Sequence, residues 1–332
     1  MTFTFGFNED DSDTDQPVVN IEPVNRTKYL DGMTKIEKIP QVHDLKDILQ
    51  SLLDVRISYE VFETPINHNI VYRRELYDIK HQIMCEDNDS TFDFTSDLQK
   101  NVYEGGFKSW ECSYDLIDKL EKIESNCSQM SILDMGCGTG LPSSYLLLNF
   151  FKNGITSKRI ILTDFNYDVL RLVTVPNLLL NWLCLKDPHI VDEFIQRQKF
   201  NLDDHEIIIT ADLIDAFIMD LSNSLIELAF ISGSWGHQFN QLVGLNTIDL
   251  LLSSETIYSQ ETLPIIAESI IQLVNNGGRI ILAAKNIYFG VGGSIIEFLN
   301  YFDKIKPTNF KYSVEEINDS QLKRSLVMID VD

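Results

Sequence analysis

Two short stretches carry residue types that do chemistry. LDMGCGTGLP (133–142) places Asp134 two residues ahead of Gly136, followed by Gly138 and Gly140, and a second acid, Asp164, closes the apolar part of RIILTDFN (159–166). Glycines in a strand-to-helix turn let backbone approach a ligand closely. A dinucleotide loop reads GxGxxG and aims a helix N-terminus at a pyrophosphate. The spacing here is GxGxG with a carboxylate in front, which suits a loop around a cationic ligand. Asp164 follows Gly140 by about 24 residues, where an acid binds a ribose diol. This set favours a nucleoside ligand over a purely structural turn. The second stretch, LLLSSETIY (250–258), runs from leucines into Ser253, Ser254, Glu255, Thr256 and Tyr258. A carboxylate at the end of a buried strand can accept an N–H and balance positive charge that develops in a reaction. Glu255 also reads as an ordinary loop acid facing water, and both readings stand.

The surrounding text supplies the elements that must position these groups. SILDMG (131–136), RIILTDFN, LIELAFISG (225–233), TIDLLLSS (247–254) and RIILAAK (279–285) read as buried strands. Helical apolar spacing fills 166–182, with Pro176 kinking or dividing it, as well as 210–223 behind the cap Thr210 and 262–278, stopped by Asn-Gly-Gly. Strands alternating with helices from about 130 to 285 mean parallel βαβ units under helices on both faces. The closing runs FKYSVEEI and SLVMIDV lie close enough for an antiparallel hairpin at one sheet edge. Residues 184–209 read as an insertion; its closing EIIIT competes for the role of third strand, which goes to LIELAFI because a helix sets it apart. Ahead of residue 100, 1–17 reads as a disordered acidic end and 18–100 as an extension, with a helix over 42–55 and a strand over 57–63.

Of 332 residues, 44% are hydrophobic, enough for a full-sized core, and the net charge is −23. Such a surface repels a phosphate backbone, so direct nucleic-acid binding is not expected, whereas a basic protein would be attracted. Solubility alone accounts for the acidity equally well. Five scattered cysteines without a CxxC pair suit a reducing compartment and argue against a zinc site, and Cys137 reads as loop filler. The six histidines are too dispersed for a metal cluster, and neither a signal segment nor a membrane span is legible.

The acidic glycine loop, strand-ending Asp164 and terminal hairpin resemble the seven-β-strand S-adenosylmethionine-dependent methyltransferases. Their cofactor carries a ribose, an adenine and a sulfonium but no phosphate. YEGGFKSWEC (103–112), ISGSWGHQF (231–239), LSSETIY and YFGVGGS (288–294) narrow the likeness to the eukaryotic protein-histidine N-methyltransferases that act on a large-subunit ribosomal protein. The similarity spans about residues 100–332, with little to compare in 18–95. It implies a seven-stranded, mostly parallel, Rossmann-like sheet and S-adenosylmethionine as cofactor. The implied cofactor contacts are Trp110 over the methionine end, Asp134, Gly136, Gly138, Gly140, Asp164, Asn166, Ser232, Gly233, Trp235 beside the adenine, Ser254 and Tyr288. YFGVGGS would form a lid over the target, with Glu255 and Tyr258 as catalytic residues and His237 a lesser candidate. The implied partner is a basic ribosomal protein and the enzyme a monomer, in cytosol or nucleus. The residues themselves leave alternatives open. Tyr258 and Tyr288 read as pocket walls or rim aromatics, Trp110 and Trp235 as ligand plates or core. The ExxY spacing lines a lysine channel equally well, and a non-catalytic escort of a ribosomal protein would place function in the first 100 residues.

Overall fold

A computed structural model describes residues 25–33, 37–86, 103–121, 129–184, 205–317 and 322–332. The expected acidic end over 1–17 and most of the expected insertion, 185–204, lie outside the described residues.

The strands of the principal sheet are β1 (Gln41–His43), β4 (Met130–Met135), β5 (Lys158–Asp164), β7 (Ile226–Ser232), β8 (Ile248–Ser254), β9 (Val274–Lys285), β10 (Phe310–Ile317) and β11 (Arg324–Val331). Their order is β1-β7-β5-β4-β8-β9-β11-β10, with β7, β5, β4, β8 and β9 parallel and β11 and β10 closing the edge as an antiparallel hairpin. The seven expected strands are all present. The eighth described strand, β1, comes from the N-terminal region: Gln41, Val42 and His43 pair antiparallel with Ser232, Ile231 and Phe230, covering an edge that would otherwise expose its backbone groups. The helix expected over 42–55 therefore begins later, at α2 (Leu45–Gln50), where the Asp44 side chain caps the N–H groups of Lys46 and Asp47.

A second sheet of β2 (Arg56–Glu63), β3 (Ile70–Arg74) and β6 (Glu206–Ile208) is antiparallel throughout. EIIIT thus contributes to this small sheet, and LIELAFI takes the third parallel position as expected. The helix after β8 ends sooner than its apolar spacing suggests. It covers Leu263–Leu273, and Asn-Gly-Gly lies inside β9, whose register against β8 shifts between Ile248 and Leu250. An irregularity absorbs the two glycines within the strand, so they do not terminate the helix. Near Pro176 the chain passes through a π-helical turn, Leu170–Thr174, before α-helix resumes at Val175–Cys184, which accommodates the missing proline N–H without ending the helix.

Two buried clusters, one on each face of the principal sheet, complete the packing. Of the helices α1 (Lys28–Gly32), α2, α3 (Leu76–Glu86) and α4 (Glu111–Leu120), the one that matters most for the site is α4, because its first residues face the strand ends. Two carboxylates pin it. Asp115 accepts from Arg324 Nε at 2.6 Å and from an Arg324 terminal nitrogen at 3.1 Å, with both side chains buried. Asp118 accepts the Thr64 hydroxyl and the Ile66 and Asn67 N–H groups, tying in the β2–β3 turn. Removing one partner of a buried ion pair leaves a desolvated charge behind. Asp115→Ala is expected to lower unfolding stability by about 3–5 kcal/mol in urea titrations, whereas a loss below about 1 kcal/mol would show that this pair does not hold α4.

Candidate active site

The parallel strands β5 and β8 lie on opposite sides of β4, so a crevice opens at their carboxyl ends, the usual ligand position in open α/β sheets. A cleft of about 240 Å³ occupies it. The glycine loop contributes Gly136 and Gly138, β5 ends in Asp164, and the segment after β7 brings Gly233 and Trp235. Ser254, Glu255 and Tyr258 close it from β8, and Trp110 from the start of α4. Gly136 has φ +70°, and a Cβ there would stand 2.7 Å from Thr256 Cγ2 and 3.2 Å from Trp235 Cζ2. Only glycine combines that conformation with that proximity.

Asp164 is buried, its Oδ1 accepting the Asn166 N–H at 2.9 Å and its Oδ2 the Gly138 N–H at 3.2 Å. Burial pushes its pKa up to about 7, against the pull of those two N–H groups and the Lys38 charge. An acid whose pKa is raised holds its proton below that value. If the ionised form receives the ribose diol, cofactor affinity should rise with pH up to about 7 and level off above it. Calorimetry at pH 6 in two buffers of different ionisation enthalpy should then detect proton release on binding. A pH-independent affinity with no proton release would remove Asp164 from that role.

Other expected residues take supporting positions outside the cleft lining. Asp134 is buried beneath the loop, accepts the Ser143 hydroxyl at 2.6 Å, and has a pKa raised by burial to about 6. Gly140, at φ +64°, packs against Thr174. Asn166 stands at the N-cap position of the short helix Tyr167–Val169 and donates its backbone N–H to Asp164, and the Ser232 hydroxyl lies 2.7 Å from His43 Nε2 beside the added edge strand. None of these four stands among the residues that line the cleft. His237 is also displaced, with Nε2 2.9 Å from Asp31 Oδ1 on the outer surface. Cys137 is buried in the loop and its thiol is pushed well up by that burial, which fits filler and not a nucleophile.

A second cavity of about 330 Å³ adjoins the first, and Glu104, Trp110, Glu255 and Tyr258 line both. Tyr288, expected at the cofactor, lines this second cavity with Lys285 and Phe289. The YFGVGGS segment is fastened to the strand end below it, the Gly293 N–H donating to the Tyr258 carbonyl at 2.9 Å. Glu255 itself has φ +55°, a left-handed conformation that a non-glycine residue holds only where its surroundings impose it. Its N–H donates to the Ala283 carbonyl at 2.8 Å, Oε2 lies 3.1 Å from Lys285 Nζ, and Oε1 lies 3.4 Å from the Cys112 N–H. Burial raises the Glu255 pKa and the Lys285 ammonium pulls against it. The water-facing loop acid is excluded, since the side chain is 6% exposed.

Spacing in the sequence does not single out Glu104 or Lys285. The Tyr258 hydroxyl donates to Glu104 Oε2, within the YEGG stretch. Lys285 ends β9 as Glu255 follows β8, so the strand-end argument applied one strand further would have found it.

The chemistry of the cleft fits S-adenosylmethionine. Asp164, Glu104 and Glu255 suit a diol and a sulfonium, Trp235 offers a flat apolar surface, and the backbone at Gly136 leaves room that a side chain would fill. No family model matches the chain. It is 38% identical to histidine protein methyltransferase 1 of Saccharomyces cerevisiae over 99% of this chain and 98% of that protein. It is 32% identical to the Schizosaccharomyces pombe protein of the same name, over 98% of this chain and 92% of that one. A Bos taurus homolog is 31% identical over 71% of this chain and 58% of its own length. The likeness to the yeast proteins extends well ahead of residue 100, beyond the span that the motifs alone suggested. The chain belongs to the histidine protein methyltransferase family, an S-adenosylmethionine-dependent group.

Proposed function

We propose that the chain methylates a histidine of a basic large-subunit ribosomal protein, on the ring nitrogen remote from the stem. The observation that carries this is the wall shared by the two cavities, where Glu104 and Glu255 both stand between the cofactor cleft and a separate opening. Bound in the cleft, S-adenosylmethionine supplies an electrophilic methyl group. The target imidazole enters through the second cavity, neutral at pH 7 and with a nitrogen lone pair available. Glu255 accepts the N–H of the ring nitrogen nearer the stem, which fixes the tautomer and leaves the remote nitrogen to attack. A carboxylate retains acceptor capacity beyond its contacts to Lys285 and Cys112. The same carboxylate then balances the imidazolium charge as it forms. Trp110 and Tyr258 narrow the junction and keep water from it, and the Tyr258 hydroxyl is oriented by Glu104. A net charge of −23 favours encounter with a basic protein. The enzyme acts as a monomer in the cytosol or nucleus, before or after the partner joins the ribosome.

The test combines labelled S-adenosylmethionine with separated ribosomal subunits and free ribosomal proteins from a strain lacking the enzyme. Label confined to one basic large-subunit protein, released on digestion as the remote-nitrogen isomer of methylhistidine, is the expected result. Label in the other isomer, or in non-ribosomal proteins alone, would reject the proposal.

A further inference from the structure

Lys285 is placed oddly for a residue beside a methyl-transfer site. Its Nζ lies 3.1 Å from Glu255 Oε2 and 3.2 Å from Glu111 Oε2, and its side chain is only 14% exposed. The same nitrogen stands 4.8 Å from the centroid of the Trp110 ring and 6.0 Å from that of Tyr288. Two rings and two carboxylates around an ammonium make the kind of cage that proteins use to bind cationic ligands. Here the occupant belongs to the chain. Burial works against the Lys285 charge, but the two carboxylates outweigh it and hold the pKa above its ordinary value.

The cage opens onto the second cavity, which Lys285, Glu255, Trp110 and Tyr288 all line. We propose that Lys285 fills a cation cage in the acceptor cavity, and so selects a neutral imidazole over a lysine side chain while holding Glu255 in place. This rests on the histidine reading above and supplies its selectivity. A substrate ammonium reaching the cavity finds the cage already taken by a like charge. It also meets Glu104 and Glu255, whose charges keep it protonated and therefore without a lone pair to attack. A neutral imidazole needs neither a cage nor a deprotonation. Lys285 acts through Glu255 and the cage walls, so it is a positioning residue and a specificity residue.

The experiment compares the wild-type chain with Lys285→Arg and Lys285→Met, using n-butylammonium chloride as the probe and choline chloride as the ionic-strength control. Melting temperature and S-adenosylmethionine binding establish that each variant is folded and loaded. Wild type should yield methylhistidine in protein from a strain lacking the enzyme and show no saturable n-butylammonium binding by calorimetry. Lys285→Met should lose roughly tenfold or more in the rate of histidine methylation. It should bind n-butylammonium saturably, and the ion should restore histidine methylation along the same saturation curve. Lys285→Arg, which keeps the charge, should retain activity above Lys285→Met and gain no n-butylammonium site. If wild type makes methylhistidine but Lys285→Met neither binds n-butylammonium nor responds to it, the Lys285 proposal is overturned and the histidine reading survives. The same holds if Lys285→Met fails to fold and Lys285→Arg behaves like a variant with an empty cage. Methyllysine or no product from wild type overturns the histidine reading itself.

Discussion

Glu255→Gln should lower the rate of methyl transfer by about 10²–10³-fold while leaving S-adenosylmethionine affinity within about threefold. Glutamine keeps the volume at the strand end and can still accept a hydrogen bond through its amide oxygen. It removes the charge that balances an imidazolium, an interaction that strengthens only as the methyl group moves. Lys285 retains its 3.2 Å contact to Glu111, so the substitution does not strand a buried ammonium. Single-turnover rates and cofactor titrations, run on the same preparations, separate the two effects. Equal losses in both would mean that Glu255 binds cofactor and takes no special part in the transition state.

Gly136→Val should cut S-adenosylmethionine affinity by about 100-fold or more, equivalent to about 2.7 kcal/mol. A β-branched residue at φ +70° is strained in any surroundings. Here its Cβ would also be forced to within 2.7 Å of Thr256 Cγ2 and 3.2 Å of Trp235, two walls of the cleft. Gly154→Val supplies the comparison. Gly154 has a similar φ of +61°, but nothing lies within 4 Å of a Cβ there. That variant should lose stability from backbone strain yet bind cofactor as wild type does. Equilibrium dialysis with labelled cofactor, alongside melting curves, distinguishes the two. Equal affinity losses in both variants would mean that strain, and not the shape of the cleft, governs binding.

The parallel core was legible because its signals are local and repeated. Each of β4, β5, β7 and β8 is a short apolar run, and a strand-to-helix turn with three glycines leaves few alternatives. The site was legible where residues terminate strands: Asp164, Glu255 and the loop after β7 reach the cleft because parallel strands all point their carboxyl ends the same way. Packing partners were not legible. Asp134 and Ser232 turn their side chains to Ser143 and His43, and no spacing rule indicates which way a side chain faces at a crowded strand end. The edge strand β1 escaped because three residues, Gln-Val-His, show no alternation long enough to detect, and their pairing with β7 spans nearly 190 positions. The helix expected to run up to Asn-Gly-Gly ends early, at Leu273, for a related reason. Asn-Gly-Gly is a stop signal in isolation, yet β8 offers a pairing partner that draws the segment into extended structure from Val274 onward.

The charge arrangement around Glu255 gains its meaning only in three dimensions. Glu111, Glu255 and Lys285 come from the start of α4 and the ends of two adjacent strands, 174 positions apart at the extremes. Taken singly, each is an unremarkable charged residue. Together they place an ammonium between two carboxylates beside the acceptor cavity, a setting in which the identity of the target side chain is decided by which groups can still be accommodated.

The most direct test of the account is the identity of the methylated residue. Purified protein and labelled S-adenosylmethionine are added to total protein from a strain lacking the enzyme, and the labelled band is hydrolysed in acid and resolved by amino-acid analysis. Label in methylhistidine, accumulating about 10²–10³-fold more slowly with Glu255→Gln, is the expected result. Label in methyllysine would leave the fold and cofactor standing but contradict the assignment of the acceptor cavity to an imidazole.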